Sequence, residues 1–76
     1  MTIDLPPMTP PVKRSVTIDG HRTSVSLEDA FWSALLPLAQ AQGQSRAALV
    51  AEIDHARQPD IGLATALRLY VLASKP

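Results

Sequence analysis

Apolar and polar residues alternate from Lys13 to Leu27, KRSVTIDGHRTSVSL, on both sides of an Asp19-Gly20 pair. A period of two is the mark of a strand with one covered face. Asp-Gly between two such runs predicts a hairpin, because both central residues of a type I′ turn need positive φ. A two-residue loop sets Ile18 opposite His21, Val16 opposite Thr23 and Arg14 opposite Val25. Val16, Ile18, Thr23, Val25 and Leu27 then share one face, with Arg14 at its edge and His21 on the same side. Lys13, Ser15, Thr17, Arg22, Ser24 and Ser26 share the other. The two runs, taken separately, agree on which face is apolar. The predicted strands are 13–18 and 21–26. The polar face carries basic and hydroxyl side chains and no carboxylate.

Beyond Leu27 the spacing becomes helical. Ser26 precedes Leu27-Glu28-Asp29 and is the expected N-cap of a helix over 27–42, with two acids in the first turn where the dipole favours them. Phe31, Leu35 and Leu38 form one apolar stripe; Trp32, Leu36 and Ala39 form a second beside it. Pro37 should kink this helix, and Gly43 suits the left-handed residue that ends it. Ser45 then caps a second helix over 45–57. Its apolar face is Leu49, Val50, Ile53 and Ala56, and Arg46, Glu52, Asp54 and Arg57 point outward. Gln58-Pro59 stops it. Asp60 is placed to cap a third helix over 61–73, with Leu63, Leu67, Tyr70 and Val71 on one side and Leu69 and Leu72 on another. A helix apolar nearly all round is buried on more than one side. A single chain of 76 residues has too little material for that, so the pattern predicts a dimer.

Composition narrows the picture. Residues 1–12, MTIDLPPMTPPV, hold four of the seven prolines and no periodicity, and read as a flexible arm before a domain over 13–76. The cysteine count is zero, which excludes disulfide staples and thiolate metal sites. No run approaches the ~18 apolar residues of a membrane span, and the N-terminus lacks the basic-then-apolar order of a signal peptide. A cytoplasmic location is expected. The formal net charge is zero, so any anion-binding role must come from local arrangement.

The run Arg22-Thr23-Ser24-Val25-Ser26-Leu27, then Phe31 to Leu38, then Gly43-Gln44-Ser45 followed by Leu49 and Ile53, resembles the ribbon-helix-helix (Arc/MetJ-like) family. The longer pattern, from KRSVTIDGHRTSVSLE through ALVAEIDHAR to ATALRLYVL, looks like a subfamily of small bacterial members with an added leading strand and a third helix. The resemblance implies an α+β fold: an N-terminal β-hairpin, three α-helices, and an intertwined homodimer with an antiparallel intersubunit sheet. It implies that Arg22, Ser24 and Ser26 contact bases in the major groove of double-stranded DNA. Backbone contacts would fall to Lys13, Gln44, Ser45 and Arg46. The dimer core would be Val25, Leu27, Phe31, Leu35, Leu49, Ile53, Leu67 and Val71. Physics agrees with both DNA roles: Arg is the best bidentate reader of guanine, and a helix N-terminus attracts anions. The leading strand is a departure. Three inter-strand spacings of ~4.8 Å plus side chains exceed a groove ~12 Å wide, so only the central pair fits unless the outer strands bend away.

No Gly-rich phosphate loop, nucleophile elbow or motif-placed carboxylate pair is present, so no catalytic residue is assigned and an enzyme is not expected. His21 and His55 lack companions at ligand spacing, so no metal or other cofactor is expected. Trp32 reads as core or dimer interface. The function expected is a repressor-like or antitoxin-like DNA-binding regulator. The alternative is a non-enzymatic interaction module that keeps the dimer fold without reading DNA and uses its sheet face or third helix for a protein partner.

Overall fold

In the computed structural model, which describes residues 2–74, two strands lead into three helices. The strands are β1, Val12–Ile18, and β2, His21–Leu27; the helices are α1, Asp29–Ala41, α2, Arg46–Ala56, and α3, Leu63–Ala73. Met1, Lys75 and Pro76 of the expected arm and domain lie outside the described residues. Residues 2–11 carry no helix or strand and are exposed.

The turn chemistry works as the Asp-Gly pair requires. Asp19 has φ 53° and Gly20 φ 78°, so both central residues occupy the left-handed region of a type I′ turn. The register is Ile18 with His21, Val16 with Thr23 and Arg14 with Val25, ending at Val12 with Leu27. Because a two-residue hairpin closes on a hydrogen-bonded pair, bonding alternates along the ladder. The backbone N–H and C=O of Arg22, Ser24 and Ser26 therefore point away from β1, at the free edge of β2.

The hairpin crosses the helices obliquely. Val16 and Ile18 are buried on β1, whereas Val25 and Leu27 are buried on β2, and β1 packs on α2 while β2 packs on α3. Two corners of the inner face are left out. Val12 is exposed at the open end, and His21 and Thr23 are exposed beside the turn. Thr23 was expected under cover by alternation; it instead borders an open cavity with His21, Asp54, Arg57 and Leu63, so the helices do not close over it.

The helix starts also differ from expectation. Ser26 remains in β2, and Glu28 is the N-cap of α1, with extended backbone and no side-chain capping bond. Its carboxylate is engaged elsewhere: both oxygens accept from Arg68 of α3, at 2.9 and 3.1 Å. Asp60 does not cap α3, whose N-cap is Gly62. The connector there is held by Arg57, which donates to the Ile61 carbonyl at 2.6 Å and to Asp54 at 2.9 Å. Ser45 does cap α2, its hydroxyl accepting from the Ala48 amide at 3.1 Å, and Gly43 ends α1 at φ 70°. α1 runs through Pro37. The carbonyl that loses its partner to proline belongs to Ser33, an exposed position where water can replace the bond.

Leu27, Leu35, Leu49, Val50 and Leu67 are fully enclosed, and Val16, Ile18, Val25, Ala39, Ile53 and Val71 complete the core of the chain. The helices are not covered on every side. Leu69 and Leu72 are 57% and 65% exposed, and α3 buries a single stripe through Leu67 and Val71. Leu69 borders a groove of about 490 Å³ between α2 and α3, shared with Ile53, Ala56, Ala66 and Tyr70. Of the residues expected in a dimer core, all but half-buried Phe31 are already buried within one chain.

Candidate nucleic-acid interface

The outer face of the hairpin is a grid of side chains fixed by the register. Lys13 faces Ser26, Ser15 faces Ser24 and Thr17 faces Arg22, and all six are exposed. Paired strands hold neighbours on one face about 5 Å apart, so donors and hydroxyls repeat over a flat polar surface. Nothing acidic interrupts it. Asp19 lies at the turn, where its carboxylate meets His55 of α2 at 2.7 Å. That contact raises the pKa of His55 above 6.5, first through the hydrogen bond to Asp19 and then through its charge.

The second expected contact region is the start of α2. The Gln44 amide donates to the Ala39 carbonyl at 2.9 Å, so it belongs to the end of α1 and offers nothing outward. The Ala48 amide is taken by Ser45. This leaves the amides of Arg46 and Ala47, the first two of the helix, without intrahelical partners. Gln44 contributes a buried Oε1 that has no hydrogen-bond partner.

Arg46 is half-buried, unlike the outward position expected for it, with its guanidinium carbon 4.6 Å from the centroid of the Trp32 ring. Arg14, from the inner face of β1, approaches the same ring at 5.3 Å. Trp32 is therefore a half-buried cation-binding surface on α1 in addition to packing against the core. Sequence spacing did not reveal this, because Arg14, Trp32 and Arg46 lie on three elements and share no periodicity.

Ion pairing sorts the basic residues. Arg14 pairs with Asp29, Arg57 with Asp54 and Arg68 with Glu28. The Arg68 guanidinium pulls the Glu28 carboxyl below its ordinary pKa, chiefly by hydrogen bonding. Of the described lysines and arginines, Lys13, Arg22 and Arg46 have no salt-bridge partner. These are the same three basic residues assigned to DNA. Each pair removes one acid with one arginine, so the chain stays neutral, and it is the placement of Lys13, Arg22 and Arg46 on the hairpin face and at the start of α2 that makes positive charge local.

The chain matches the ribbon-helix-helix domain family over residues 11–74 and belongs to that family. Its members are generally DNA-binding transcription regulators or antitoxins and are typically non-enzymatic. No curated protein and no solved structure matches the chain. Among the described residues, no group of three or more His, Asp or Glu could hold a metal ion, and no helix is long and apolar enough to cross a membrane.

Proposed function

We propose that this chain is a cytoplasmic, homodimeric DNA-binding regulator of the repressor or antitoxin type, and that it docks the outer face of its hairpin in the major groove. The observation that carries this is the sorting of charge. Lys13, Arg22 and Arg46 are the basic residues without an acidic partner, and they lie on the hairpin face and at the start of α2. In the dimer, β2 pairs antiparallel with β2 of the second copy through its free edge. The central pair then presents Arg22, Ser24 and Ser26 to base edges. Arg22 reads guanine through its forked donors, and the serines accept or donate as the base requires. Lys13 on β1 flanks the groove and meets phosphate. Ser45, Arg46 and the open amides beside them grip the backbone, while Gln44 can contribute only by donating its side-chain Nε2. Partner helices crossing the two-fold axis would cover the exposed His21 and Thr23.

Titration against duplex DNA at low and moderate salt tests the reading. Affinity should fall steeply with salt, and Arg22→Ala should cost about 1–3 kcal/mol of specific binding. Absence of binding to any genomic fragment would sink it. Sedimentation at micromolar concentration should give a dimer mass, and a monomer would remove the central strand pair. The second reading, a protein-interaction module, is favoured by the α2–α3 groove and by exposed Leu69 and Leu72. It predicts a dimer without salt-dependent DNA binding.

A further inference from the structure

The geometry points to Trp32 as a positioning residue that sets the phosphate-gripping arginine, Arg46, at a fixed place relative to the base-reading ribbon. This rests on the DNA-binding reading above. Trp32 lies in the first turn of α1 and is half-buried. Arg14 meets its ring from β1, and Arg46 meets it from the first position of α2. One indole therefore ties together the ribbon, the first helix and the start of the second.

The two arginines are held differently. The Arg14 guanidinium pairs with Asp29, donates to the Leu27 carbonyl at 3.2 Å, and its side chain is only 17% exposed. It is committed to the fold. Arg46 has no salt-bridge partner among the described residues; the buried Nε of both arginines lacks an acceptor, so the difference lies in the carboxylate and carbonyl that only Arg14 engages. Among the described residues, its guanidinium is placed over the Trp32 ring, 4.6 Å from the centroid, with no carboxylate in salt-bridge range. Stacking engages the face of the guanidinium and leaves the terminal donors at its edge for an anion. A surface arginine without such a partner samples many rotamers and must be ordered when it binds. Held on the ring, it stays beside the open amides of Arg46 and Ala47. DNA presents its phosphates at fixed distances from its base edges, so a rigid ribbon-to-helix spacing lets both contacts form together.

The test is a double-mutant cycle on the full chain, with Trp32→Leu, Arg46→Met and the double variant titrated against DNA. Each single change should weaken binding about tenfold, with specificity between sequences preserved and the salt slope of Arg46→Met reduced by about one. The double variant should be no weaker than Arg46→Met alone, because Trp32 acts through Arg46. Multiplying losses would show that Trp32 merely supports the fold and would overturn the proposal. Trp32→Phe keeps an aromatic face and should recover most of the binding; if Trp32→Leu fails to fold, Trp32→Met, which fills more of the space without an aromatic face, combined with Arg46→Met closes the same cycle. Trp32 is the only tryptophan, so Arg46→Met should also shift its emission without DNA present. An unchanged spectrum would remove the stacking on which the role depends. Failure of the wild-type chain to bind any DNA would overturn the regulator reading itself, whereas wild-type binding with an additive cycle would remove only the role of Trp32.

Discussion

The two ends of the hairpin are anchored in different ways. At the open end, Leu27 is fully enclosed, Arg14 reaches both the Leu27 carbonyl and Asp29, and its guanidinium lies over Trp32. At the turn end, Val16 and Ile18 are buried on one strand while their partners His21 and Thr23 face solvent. The tie to α2 there is His55 on Asp19, with both side chains more than half exposed. Exposed pairs of this kind contribute little to stability. The hairpin is thus held through both strands where it joins α1 and through β1 alone at its tip, where Val16 and Ile18 are buried and β1 packs on α2. The end held through both strands lies beside the start of α2, since Arg14 and Arg46 meet at Trp32; under the proposed function, adjustment to a groove would fall to the tip.

Leu27→Ala should break the firm end and have the largest effect, about 2–5 kcal/mol of unfolding free energy by urea titration. Gly20→Ala strains the turn, since alanine at φ 78° carries a left-handed penalty of about 1–2 kcal/mol. It should destabilise less than Leu27→Ala; the reverse order would mean the tip is the anchor. The smallest effect is a pH dependence at the tip. His55 has a folded pKa raised above 6.5 by Asp19, with Asp54 adding slightly. The stabilisation from this pair is complete below 6.5 and is lost as pH rises through the higher folded value. The Tm advantage of wild type over His55→Asn should shrink across that window, and a constant difference would show that the contact is not ionic. Glu28 on Arg68 has the opposite sense. Its lowered folded pKa gives stabilisation above the ordinary 4.5, lost as pH falls through the depressed value, so Glu28→Gln should approach wild type in acid.

Local chemistry made much of the molecule legible from its residues. Asp19-Gly20 dictates a type I′ turn, the turn dictates register, and register dictates which six side chains share the polar face. Ser45 and Gly43 mark the α1–α2 junction because capping depends on the few residues around it. Ser26 and Asp60 are equally good caps by composition, yet neither is used. Pairing with β1 extends β2 through Leu27, and the helices start later, at Glu28 and Gly62. Those outcomes follow from tertiary contacts that no local preference contains.

What the sequence determined by itself was the hairpin with its two chemically distinct faces and the order of the helices. These follow from turn geometry and from periods of two and 3.6. Tertiary structure alone decided that the hairpin crosses the helices obliquely, uncovering His21 and Thr23. It also paired Arg14 with Asp29 and Arg68 with Glu28 across elements, whereas Arg57 reaches Asp54 only three residues away, and it brought Arg14 and Arg46 to one indole. Charge and stacking act through space, so apart from the local Arg57–Asp54 pair it was the packing of β1, α1, α2 and α3 that selected which cations remain to meet a partner.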